Sequence, residues 1–98
     1  MTIGIDGLIW HRGALLAIQN GITPHRVVRF RLGERGSAID SAEILLMNDA
    51  RFDEPTLGVV TNDALLLVAN SHWGKFDAQS GTFPAEAVTP TAILRLPL

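Results

Sequence analysis

Apolar residues along the chain gather in short blocks of four to eight, and each block is closed by glycine, proline, asparagine or aspartate. Nowhere do they sustain the i, i+3, i+4, i+7 spacing of an amphipathic helix over a long window. The pattern predicts strands at 7–11, 14–19, 26–32, 39–47, 58–61, 64–70 and 92–96, an all-β chain. Between them Arg12-Gly13, Asn20-Gly21, the 33–36 segment, Asn62-Asp63 and the long 74–90 stretch supply turn chemistry. One block reads two ways. Ser41-Ala42-Glu43 leads into Ile44-Leu45-Leu46-Met47, which propensity would allow as a short helix capped by Asp40 or Ser41; its neighbours favour a strand.

The blocks repeat. Gly7-Leu8-Ile9 followed by Ala14-Leu15-Leu16-Ala17-Ile18 aligns with Gly58-Val59-Val60 followed by Leu65-Leu66-Leu67-Val68-Ala69, an offset of 51 from Gly7 to Gly58. Thr23-Pro24 and Val27-Val28-Arg29-Phe30 align with Thr89-Pro90 and Ile93-Leu94-Arg95-Leu96 at an offset of 66. The second copy therefore carries 15 further residues (66 less 51), which fall at 74–88. A unit of about 50 residues made of short antiparallel strands is the size of one β-propeller blade, which cannot bury both faces without neighbours. On this reading blade one covers about 6–48 and blade two about 56–98, the second ending before its fourth, outer strand. Residues 1–5 precede the first strand too closely to cross over and supply it. Two sheets with uncovered faces and edges imply remaining blades, from the same parent chain or from a homo-oligomer in which three copies make six blades. The parent-chain reading is preferred, because separate chains must offset the entropy of association.

The stretch DGLIWHRGALLAIQNG resembles a blade start in the senescence marker protein/gluconolactonase group of six-bladed propellers, and EPTLGVV, LLLVANSHW and AILRLPL resemble the closing blade of such proteins. The resemblance covers nearly the whole chain and is more specific for the fold than for an activity. It implies that Asp6, directly before Gly7 where an inner strand begins, ligates calcium or another divalent cation in the central channel and acts as base on a lactone or ester. It also implies a second metal ligand near Glu54, with the register off by a residue or more. Each has a plainer reading: Asp6-Gly7 as turn chemistry, and Glu54 as part of an acidic surface loop.

Composition narrows the field. Eight Lys and Arg against ten Asp and Glu, with no basic run, leave no electrostatic footprint for nucleic acid. The absence of cysteine removes disulfides, thiolate zinc sites and cysteine nucleophiles. The 47% hydrophobic content favours ordered packing over disorder. The longest apolar run, 64–69, is far short of the roughly 20 residues that span a bilayer, so no membrane partner is expected. No basic segment precedes an apolar stretch at the N-terminus, so the expectation is a cytoplasmic protein if the chain is complete.

Other candidates for chemistry are few. His11, His25 and His72 lack zinc spacing, and no nucleophile elbow or phosphate loop occurs. Gln19 and Asn70 close the two second strands, and Arg29 and Arg95 share a place in the third; recurrence in both copies points to structural roles. His72, Trp73 and Phe76 open the long insertion and form a candidate rim for a small-molecule ligand, although a tryptophan covering a core edge is the commoner case. Three functions compete. The leading one is a propeller segment supplying wall and interaction surface; the second is part of a metal-dependent lactonase or esterase-type hydrolase using Asp6; the third is an independent β-sandwich, which the repeat argues against.

Overall fold

Seven strands form, all antiparallel, in two separate sheets of a computed structural model that describes residues 2–98. Strands β1 (Ile5–His11), β2 (Ala14–Gln19), β3 (Arg26–Leu32) and β4 (Ile39–Met47) make a four-stranded meander; β5 (Gly58–Thr61), β6 (Ala64–Val68) and β7 (Ile93–Pro97) make a three-stranded one. The segment that propensity would allow as a helix is β4, an edge strand held on β3 through a bulged ladder. Its neighbours decided it, since β3 leaves an edge of unpaired backbone groups that only a strand satisfies.

Two turns fix the register. Arg12 and Gly13 (φ 49° and 78°) and Asn62 and Asp63 (φ 48° and 59°) are left-handed at both positions, the type I′ geometry that matches strand twist. His11 pairs with Ala14 and Thr61 with Ala64, so the first hairpin maps onto the second 50 residues later, not 51. The next strand agrees: Leu16 faces Arg29 and Leu66 faces Arg95, offsets of 50 and 66. The insertion is therefore 16 residues (66 less 50). The one-residue correction is large in effect, because a slip of one exchanges the two faces of every strand. The structural counterpart of Asn70 is Asn20, and Gln19 corresponds to Ala69.

With the register fixed, each sheet packs on the other through a different face. Ile9, Ile18 and Val27 of the first sheet share a core with Val60, Leu65, Leu67 and Leu94 of the second. Fifty residues on (66 for β3), the partners of Ile9, Ile18 and Val27 are Val59, Val68 and Ile93, which lie on the outward face of the second sheet. Conversely, Val60, Leu65, Leu67 and Leu94 correspond to Trp10, Leu15, Ala17 and Val28, on the outward face of the first. The sheets are stacked head to tail.

The inner strands β1 and β5 lie closest across this interface. Glycine is required there: a Cβ on Gly7 would sit 2.5 Å from the Thr56 carbonyl oxygen. At the hairpin tips Arg12 reaches Asp63 at 2.7 Å, an exposed pair that contributes little energy but joins the two sheets.

Both outward faces are apolar. On the first sheet Ala17, Val28 and Phe30 are shielded by Ile5 and Leu15, while Leu8, Trp10, Ile44 and Met47 stay 47–61% exposed. On the second, Val59 (59%) and Ile93 (56%) border a groove of about 330 Å³ with Leu57, Leu66 and Val68. The accessible surface of 6144 Å² exceeds the roughly 5,500 Å² expected for this mass. The radius of gyration, 14.7 Å, likewise exceeds the about 13 Å of a compact domain this size. No helix among the described residues is long and apolar enough to cross a membrane.

Candidate functional site

The residues singled out in the sequence share one end of the molecule, opposite the hairpin tips, where β1 and β5 begin and β2 and β6 finish. A register shift between Ile5 and Gly7 leaves Asp6 unpaired in the ladder and exposed. The Asn20 side-chain amide donates to Asp6 Oδ2 at 2.8 Å and to the Pro55 carbonyl at 2.9 Å, tying the start of β1 to the segment that leads into β5.

Glu54 is held in a left-handed conformation (φ 54°), with its carbonyl accepting from the Ser71 hydroxyl at 2.8 Å. Its carboxylate lies over Gly74, where a Cβ would come within 3.3 Å of Oε1. Asp6 is thus engaged by Asn20 while Glu54 turns toward the insertion. Among the described residues no three histidine or acidic side chains converge as metal ligands. A calcium ion takes six to eight oxygens, so the described residues do not fit as a complete cation site; Asp6 fits only as one contributor to a site shared with other residues.

His72 is a structural pivot. It is 5% exposed, left-handed (φ 59°), and its Nε2 accepts from the Thr89 backbone N–H at 3.2 Å and contacts the Thr89 hydroxyl at 3.0 Å. Accepting at Nε2 places the ring proton of the neutral imidazole on Nδ1. Beside it, buried Asn70 accepts from the Ala92 N–H at 2.6 Å and donates to the Pro90 carbonyl at 2.9 Å and the Thr89 hydroxyl at 3.2 Å. These two side chains pin the far end of the 16-residue insertion to the end of β6, and they explain why the ladder stops at Val68 instead of running to residue 70. Asn70 takes the backbone donor that a continuing strand would have used.

Trp73 stacks on Phe76 with centroids 5.0 Å apart and planes within 6°, and Phe83 tilts against both. Trp73 is 60% exposed, so the cluster is an aromatic platform on the insertion with one open side. Phe83, Asn20 and Ser71 are the members that sequence reading missed. The Asn20-Gly21 pair read as turn chemistry alone, and nothing local joins Phe83 to Trp73. Lys75, beside the platform, is paired with Asp53.

Arg29 forms a salt bridge to Glu43 of the same sheet at 3.2 Å, while Arg95, on the edge strand β7, is exposed. After β4, Asp49 takes the Arg51 guanidinium at 2.8 Å on both oxygens and the Arg51 N–H at 2.9 Å. The Arg51 side-chain bonds, then its backbone bond, lower the Asp49 carboxyl to about 2 from its ordinary 3.8. A depressed carboxyl stabilises the fold above its ordinary value and loses that contribution as pH falls through the folded value. Acid titration from pH 4 to 2 should therefore erode the stability of the wild type more than that of Asp49→Asn; equal slopes would exclude the pair as a contributor.

Comparison with protein-family models, with curated proteins and with solved structures gave no match.

Proposed function

We propose that the two sheets are consecutive blades of a β-propeller of the senescence marker protein/gluconolactonase-like kind. In this reading the segment serves as wall and interaction surface, and further sheets cover its two free faces. The observation that carries it is the head-to-tail stacking: a sheet that packs one face backward and offers the other forward is the repeating step of a ring. A sandwich instead closes by burying one face of each sheet and leaves polar faces outside. Here the outward faces carry Leu8, Trp10 and Met47 on one sheet and Val59 and Ile93 on the other.

The test is dye binding to apolar surface at dilutions where the chain is a monomer. Strong binding that falls when Trp10 and Met47 are replaced by serine, with the far-ultraviolet spectrum unchanged, is expected. A monomer that melts cooperatively and binds no dye would overturn the reading.

A second reading, a part of a divalent-metal-dependent lactonase or esterase-type hydrolase, is favoured by the Asp6 carboxylate and Asn20 amide lying together where the inner strand begins. Calorimetric titration with calcium separates the two. Saturable binding lost in Asp6→Asn supports the hydrolase; no binding leaves the wall role standing.

A further inference from the structure

The two free faces are the counterparts of the two faces already packed within the chain. Trp10 occupies the place of Val60, which shares the inter-sheet core with Ile9, Ile18 and Val27. Val59, Val68 and Ile93 occupy the places of that trio and border the open groove of about 330 Å³. The molecule therefore carries a knob on one side and its socket on the other. A socket on the same chain cannot receive the knob, because both packed sheets lie between them.

We propose that the occupant of each free face is another copy of this chain, and that three copies join head to tail into a closed ring of six sheets. The proposal rests on the blade reading above and names the partner. Every contact between copies would repeat the packing mode that the chain already achieves between its own sheets, with Trp10 of one copy seated against Val59, Val68 and Ile93 of the next. A two-fold arrangement would set Trp10 against Trp10, or the groove against the groove, and leave knob and socket unmatched. Heterologous contacts either close or grow into a filament, and the repeated wedge between sheets whose inner strands lie closest favours closure.

The experiment is light scattering on the wild type and on two face variants, Trp10→Glu and Val59→Glu, each at a residue about 60% exposed and so tolerant of a charge in the monomer. The expected masses are three protomers for the wild type and one for each variant alone. Mixed in equal amounts, the variants should form a one-to-one dimer, since each retains the face that the other lacks. A wild type that stays monomeric and binds dye would overturn the proposal while leaving the blade reading intact, the covering sheet then belonging to a different chain or segment. A wild-type dimer whose two variants cannot pair would replace the ring by a two-fold contact. A monomer that neither binds dye nor assembles would overturn both.

Discussion

Replacing Gly7 by alanine is expected to destabilise the protein by about 1–3 kcal/mol, the range for forcing a methyl group into a packed interior. The cause is direct. The added Cβ would lie 2.5 Å from the Thr56 carbonyl oxygen, a backbone atom that cannot swing aside, and 3.1 Å from the Ile18 side chain. Relief requires β1 and β5 to separate, and that opens the shared core where Ile18, Leu65 and Leu67 are fully or almost fully buried. Urea unfolding of Gly7→Ala beside Leu8→Ala checks it, because Leu8 is 56% exposed and its truncation should stay within about 0.5 kcal/mol. Equal midpoints for the two variants would mean that the inner strands do not approach as described. If the chain assembles, the same substitution should also weaken assembly, because an altered angle between the sheets alters the closure of the ring.

Asn70→Ala carries the second large expectation, about 1–3 kcal/mol. Its side chain makes three hydrogen bonds in a nearly buried position: from the Ala92 N–H, to the Pro90 carbonyl and to the Thr89 hydroxyl. Truncation leaves the half-buried Ala92 N–H without its acceptor, a loss of about 1–3 kcal/mol, while the Pro90 carbonyl and Thr89 hydroxyl lie on exposed residues that water can reach. The measurement is amide hydrogen exchange at Ala92 together with the unfolding midpoint; loss of Ala92 protection with a lowered midpoint is expected. The counterpart residue provides the comparison. Asn20 is half-buried and bridges exposed Asp6 to buried Pro55, so Asn20→Ala should loosen the start of β1 and leave Ala92 protected. If Ala92 stayed protected in Asn70→Ala, the insertion would not be anchored through Asn70.

Much of the backbone was legible in the chain. Blocks of apolar residues punctuated by Arg12-Gly13 and Asn62-Asp63 marked the hairpins, since two-residue turns leave few choices of geometry. Strand ends were less legible. The 64–70 block stops pairing at Val68 because the Asn70 side chain and the segment through Asp53 take over its backbone partners. The last strand runs Ile93–Pro97 instead of 92–96, because Ala92 is committed to Asn70. The site was legible in part. Asp6, Glu54, His72, Trp73 and Phe76 do gather at one end of the molecule, yet the bonds that organise that end run through Asn20, Ser71 and Thr89, whose partners lie 14 to 35 residues away along the chain.

The clearest division lies in the repeat. That two similar strand groups exist was readable from the chain alone, because composition and turn residues are local properties. The chain placed them 51 residues apart, since runs such as Leu65-Leu66-Leu67 match equally well after a slip of one. Alternation cannot choose a register when both faces of a sheet are apolar. The two-residue type I′ turns at 12–13 and 62–63 set the offset at 50. Which face of each sheet is packed and which is left free stayed open in the chain itself, because both faces are apolar, and was settled only where Ile18, Leu65 and Leu67 meet in one core.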